Sequence, residues 1–412
     1  MPQLCKTCGE KNCDKHTFFL GKTIKLEHFS GSTPPEIFVG KWNYPNVYTG
    51  ILAPQKVGDT TIMSSPEEWH KNKLAISDIM GYRNQLIYGR TQSNIKKLET
   101  KFLSVMKEVA MTHKSIATEF HLKKPVTANK EQDDRSPLIP KAAEILKAEL
   151  QENAPIIPKI DYLVNDTEVR SATAIQELHK ANIQTSTIIK ILSAGLLGLK
   201  KNRKLVPTRW SITAVDDPIS KNKLEKIKQF QEISEYQVFH SEYLGNHYEF
   251  LLIPDSWSFE VIEIKITFDN KSYLDAQSFR KTNFDISIKN PYNIGVWQDY
   301  ETIFARKKYA DSVTGAYYVN RLALTEYLES IKRQATCIVM REIRPQYYIP
   351  CGVGILRETS REAFKNKPET FQTLNEALNV IQSRIKQPVS NYTEKSVILK
   401  QKRAQSKLAQ FL

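Results

Sequence analysis

Four runs rich in β-branched and aromatic residues set the strongest limit on the fold: WSITAV (210–215), YEFLLIP (248–254), FEVIEIKITF (259–268) and TCIVMREI (336–343). Short apolar runs of this composition, bounded by turn-forming residues, read as strands of a sheet. Helical periods fill the stretches at 221–234, 319–334 and 373–387. Strands and helices in mixed order predict a mixed α/β (α+β) fold for this half, not a regular doubly wound sheet. The first half has another texture. Ile95, Leu98, Phe102, Val105, Met106, Val109, Ile116 and Phe120 recur at helical steps and predict one long helix over 95–120 with a buried stripe. Ser65-Pro66-Glu67-Glu68 is a helix start with cap, proline and acids in place, and predicts a helix reaching about Tyr88. Further helices are predicted at 140–152, 169–181 and 185–197, and short strands and turns within FVGKWNYPNVYTGILAP (38–54). The polar stretch 123–137 reads as an exposed loop. The expected organisation is a cysteine-rich turn (1–17), a helix-rich N-terminal region (18–204), a mixed-sheet C-terminal region (205–390) and a flexible tail (391–412). The basic run KKNRK (200–204) lies at the boundary.

Three of the five cysteines fall in the first 13 residues, where Cys5, Cys8, Cys13 and His16 read C-x2-C-x4-C-x2-H. The Cys5–Cys8 gap lets two sulfurs of one tight turn reach a single ion, and Cys13 with His16 completes a tetrahedron. Thiolates and imidazole without oxygen ligands select zinc. With all four positions filled by protein the predicted Zn²⁺ site is structural. Cys337 and Cys351 sit in apolar contexts and read as buried free thiols. Scattered cysteines of this kind point to a reducing, cytoplasmic setting, not to a disulfide framework.

Lys and Arg outnumber Asp and Glu by 59 to 45, a net charge of +14. That excess favours polyanions, and nucleic acid over a membrane surface, because no basic amphipathic anchor and no apolar run of about 20 residues is evident. Arg209, Lys221, Arg306, Lys307, Arg321, Arg341 and Arg344 are the candidate phosphate contacts, interleaved at 300–361 with tyrosines able to stack on unpaired bases.

Two acidic patterns could carry chemistry. VPTRWSITAVDDPISK (206–221) reads as a strand ending in Asp216-Asp217 at a sheet edge. There the pair could hold Mg²⁺ or Mn²⁺, or one acid could act as a base, with Arg209 and Lys221 gripping phosphate. The catalytic candidates are thus Asp216, Asp217 and Arg209, for a metal-dependent nuclease or another phosphate or nucleotide hydrolase. The plain alternative is a turn and helix start at Asp217-Pro218. A literal PD…ExK string (Asp255, Glu263, Lys265) is equally what a half-exposed strand looks like. Phosphate-loop, dinucleotide, hydrolase-elbow and HExxH motifs do not occur in the sequence.

The last residues, QKRAQSKLAQFL, resemble the box that binds the sliding clamp (PCNA). One helical turn brings Leu408, Phe411 and Leu412 to one side as an apolar plug, and the Gln405 amide fills a polar pocket. Leu412 stands where a second aromatic is commoner, and Lys400, Lys402 and Arg403 suit an acidic partner. Together with the cysteine turn and the 206–221 block, several segments resemble the archaeal NreA/NreB family of DNA repair proteins. They are Phe38-Val39-Gly40 with Tyr44-Pro45, GNHYEFLLIPDSWSFE (245–260), GAYYVNRLALTEYL (315–328) and REIRPQYYIPCGVG (341–354). The resemblance spans nearly the whole chain. It implies a nucleoid-associated DNA repair role with recruitment through the terminal box, either as an enzyme or as a non-catalytic adaptor binding DNA and clamp.

Overall fold

The computed structural model describes residues 27–125, 140–266 and 294–409. The chain divides into two compact units, Met1–Ile219 and Ser220–Leu412. The first holds strands β1 (His28–Thr33), β2 (Ile37–Val39), β3 (Asn46–Pro54), β4 (Leu86–Asn94), β5 (Ile116–Leu122) and β6 (Lys141–Leu150). They form one sheet in the order β1-β5-β6-β4-β3-β2, antiparallel except for β4 with β6. The sheet curls until Gly31 of β1 meets the end of β3. A Cβ there would lie 2.1 Å from the Pro54 carbonyl oxygen, so only glycine allows the approach.

This sheet corrects the helix-rich expectation for the first half. The predicted long helix is helical only over α3 (Lys101–Met111), capped by Thr100, whose hydroxyl accepts from the Leu103 amide at 3.2 Å. Ile116 and Phe120 belong to β5, where burial alternates with period two. A spacing of four residues fits a helical face and a strand face equally, hence the misreading. Where the sequence predicts a helix over 140–152, residues 141–150 are a strand although KAAEILKAEL is composed of good helix formers; pairing with β4 and β5 overrides propensity. The helix from Ser65 stops early as α1 (Pro66–Lys71). Lys73 takes a left-handed φ of 50°, and the chain restarts as α2 (Ile76–Asn84) before entering β4. Helices α4 (Pro158–Asn165), α5 (Ser171–Lys180) and α6 (Thr185–Ser193) follow, the last two close to the predicted spans.

WSITAV is not a strand. It lies in α7 (Thr208–Ile227), which contains Pro218 and carries the chain from the first unit into the second.

The second unit holds β7 (Tyr236–Tyr243), β8 (Asn246–Ile253), β9 (Ser258–Ile266), β10 (Ile294–Glu301), β11 (Thr336–Ile343) and β12 (Glu369–Phe371). Their order is β10-β9-β11-β8-β7-β12, with β9 and β11 parallel and the other pairs antiparallel. Leu244 and Gly245, both at positive φ, make the tight β7–β8 turn. Phe239, Phe250, Phe259 and Val339 face α8 (Gly315–Ile331) and α9 (Val353–Ala363). Leu251, Ile262, Ile264 and Met340 face α10 (Leu374–Arg384), α11 (Ser390–Thr393) and the start of α12 (Val397–Ala409). Strands buried on both faces read as continuous apolar runs, so β8, β9 and β11 were legible.

The segment expected to be a flexible tail from 391 is core at its start: Tyr392, Ile398 and Leu399 are buried. Glu260 of β9 anchors α12, accepting from the Val397 amide at 2.8 Å, the Ile398 amide at 3.4 Å and the Ser396 hydroxyl. Helix α12 then runs on through Gln405 and Leu408 to Ala409.

Candidate functional site

Helix α7 rearranges the acidic candidates. Asp216 and Asp217 occupy successive helical positions, about 100° apart around the axis, and diverge. Asp216 is fully buried and Asp217 half-buried. The expected pair at a sheet edge is therefore replaced by two acids that do not converge on one Mg²⁺ or Mn²⁺. Among the described residues, no group of three or more His, Cys, Asp or Glu side chains could hold a metal ion. Arg209, by contrast, is exposed two turns earlier, and Lys221 is half-buried. Cys5, Cys8, Cys13 and His16 lie outside the described residues, as do Phe411 and Leu412.

The basic candidates of the second unit separate by burial. Arg321 on α8 is fully buried, donating to Glu301 at 2.8 Å and to the Ser220 hydroxyl at 3.1 Å. Arg341 on β11 is 4% exposed and donates to Glu263, directly opposite on β9, and to Asn246. Burial opposes its charge, yet Tyr248 and Glu263 hold the guanidinium pKa above its usual value. Arg344 joins Glu342 at 2.7 Å and pairs with Glu242. Arg306 is partly exposed but pairs with Asp299 at 3.0 Å and donates to the Tyr300 and Tyr309 carbonyls. Arg321, Arg341 and Arg344 thus serve the protein's own carboxylates, which corrects the phosphate-contact reading for these three. Lys307 stays exposed. Glu263 and Asp255 are likewise engaged, Glu263 with Arg341 and Asp255 with Lys402, so the PD…ExK string is not a cluster. Cys337 and Cys351 are buried free thiols, and burial pushes the Cys337 thiol pKa up.

The structure brings together a group that sequence reading missed. The turn between β2 and β3 exposes Trp42 (70%) and Tyr44 (45%), and the first turn of α7 exposes Trp210 (47%). The Tyr44 and Trp210 rings lie 5.4 Å apart, and the Lys41 ammonium sits 4.4 Å from the Trp42 ring centre. The Val39 amide donates to the Thr208 hydroxyl at 2.9 Å, tying turn to helix. The readable signal was two tryptophans and a tyrosine in polar, basic surroundings (KWNYP and PTRW). Elsewhere in this unit Ser64, Ser65, His113, Ser186, Thr187 and Lys190 line a cavity of about 220 Å³, which contains none of the candidate residues.

Two family models match the chain: "Archaeal Nre, N-terminal" over residues 8–268 and "Archaeal Nre, C-terminal" over 301–411. The chain belongs to the archaeal Nre family. It is 35% identical to the DNA repair protein NreB of Archaeoglobus fulgidus over 397 residues, covering 96% of this chain and 95% of the relative. It is 31% identical to NreA of the same organism, covering 92% and 91%, and 30% identical to NreA of Haloferax volcanii, covering 92% and 88%. No solved structure matches it. The Nre segments recognised in the sequence take different physical roles. GAYYVNRLALTEYL is buried helix, and REIRPQYYIPCGVG carries the buried Arg341. Tyr44 and Trp210 of two such segments belong to the exposed aromatic surface, while the buried Val39 ties its strand to α7 through its amide. No helix among the described residues is long and apolar enough to cross a membrane.

Proposed function

We propose that this chain is a DNA repair protein delivered to DNA by a sliding-clamp ligand at its C-terminus. The observation that carries the repair role is similarity over nearly its whole length to proteins named DNA repair proteins NreA and NreB. The recruitment reading is supported by the Gln405, Leu408, Phe411, Leu412 pattern, which begins within the last turns of a helix whose start is tied to the sheet. Anchored at Glu260 at its start, such a segment tethers the body to the clamp and raises its concentration at DNA without tight intrinsic affinity. Deleting residues 405–412 is expected to abolish binding to purified clamp, measured by calorimetry, while the melting temperature stays within a few degrees. Clamp affinity that survives the deletion overturns the recruitment reading.

Within this role the adaptor form is favoured over the hydrolase form by one observation: Asp216 is buried in mid-helix and Asp217 points elsewhere. A structural zinc at Cys5, Cys8, Cys13 and His16 completes the proposal, resting on ligand type and spacing. Elemental analysis of the purified chain is expected to find close to one zinc, lost in Cys5→Ser/Cys8→Ser. A native protein free of metal would remove it.

A further inference from the structure

The geometry points to the surface formed by Trp42, Tyr44 and Trp210 as a binding site for unpaired nucleotides. Bases stack on the rings, and Lys41 and Arg209 neutralise the adjoining phosphates. The inference deepens the DNA repair reading, from which it takes DNA as its ligand, and is independent of clamp recruitment.

Large aromatic rings normally lose their water on folding, yet three of them stay wet here on a rigid frame. The frame is laced by main-chain bonds. The Gly40 amide donates to the Tyr48 carbonyl at 2.8 Å and the Asn46 amide to the Asn43 carbonyl at 2.8 Å, closing the turn. The Ile95 amide donates to the Pro45 carbonyl at 3.0 Å, and the Leu205 amide to the Ile95 carbonyl at 2.9 Å. Three segments far apart in sequence, 40–46, 94–97 and 204–211, are thereby joined. They contribute Lys41, Lys96, Lys97, Lys204 and Arg209 and contain no Asp or Glu. Wet rings flanked by segments whose only charged residues are basic suit a polyanion bearing flat apolar faces, which distinguishes nucleic acid from an ordinary protein partner. A duplex hides its base faces inside the stack, so ring stacking requires unpaired bases. Tyr44 and Trp210 meet at a tilt of 51°, so each ring keeps a face of its own to offer a base.

The test measures binding of the full chain to a fluorescent oligodeoxythymidylate of about 16 nucleotides and to a duplex of equal length by anisotropy. Trp42→Ala and Trp210→Ala are each expected to weaken the single strand roughly tenfold, with Trp→Phe restoring most of it and the melting temperature unchanged. Lys41→Ala and Arg209→Ala are each expected to reduce the salt slope of binding by somewhat under one unit. Unaltered oligothymidylate affinity in the Trp42→Ala/Trp210→Ala protein overturns this site while leaving DNA binding in place. A wild-type chain that binds neither DNA overturns the site together with the direct DNA contact of the repair reading, and clamp binding then reports separately on recruitment.

Discussion

Arg341→Met is expected to lower the unfolding free energy of the full chain by about 3–5 kcal/mol, read as a fall in the urea midpoint. The size follows from what is left behind. Arg341 and Glu263 face each other across the parallel β9–β11 pair in the middle of the second sheet, and both are almost completely buried. The guanidinium also donates to Asn246 and lies 5.6 Å from the Tyr248 ring centre. Methionine fills much of the volume but leaves the Glu263 carboxylate without its counter-charge in a low-dielectric interior. Arg341→Met/Glu263→Leu removes both charges and is expected to recover most of the loss, since an apolar pair of similar volume is often as stable as the ion pair it replaces. The same variants separate two readings of Arg341. A residue that touched phosphate would weaken DNA binding with little change in stability, whereas an internal ion-pair partner changes stability and leaves the DNA affinity of the folded protein alone.

The second large effect is expected at Glu260→Ala, about 2–4 kcal/mol by the same measurement. Glu260 is fully buried and accepts from two amides at the start of α12, from the Ser396 hydroxyl and from the Gln298 amide. Its loss leaves those donors without their acceptor and loosens the helix that inserts Ile398 and Leu399 into the core. Limited proteolysis is expected to cut faster between Lys395 and Arg403 in this variant. Clamp affinity is expected to stay within a few-fold, because the proposed clamp ligand begins at Gln405, beyond the anchor. A variant that loses clamp binding while its α12 stays protected would show that the anchor itself belongs to the clamp-binding surface.

How much of this was legible depended on how local the cause was. TCIVMREI and YEFLLIP are strands because nearly every side chain in them is buried, and a continuous β-branched or aromatic run has few other outcomes. The helices around 171–180 and 374–384 followed from apolar period. The first sheet was obscured where local preference and final neighbours disagreed. KAAEILKAEL favours a helix by propensity, and only its place between β4 and β5 makes it a strand. Ile116 and Phe120, four residues apart, satisfied both periods.

The sequence by itself determined the Nre family, the positive charge, three central strands of the second sheet and the terminal pattern at Gln405 and Leu408. Only the tertiary structure decided which charges face water. Arg321, Arg341 and Arg209 are alike as letters, but the first two meet Glu301 and Glu263 inside a unit and the third is left on the surface. The same holds for the rings: Trp257 is buried against Phe259, whereas Trp42 and Trp210 stand exposed near Tyr44. A side chain's partners are set by how the elements pack, as with Arg341 and Glu263 or Tyr44 and Trp210, and neither composition nor period contains that information.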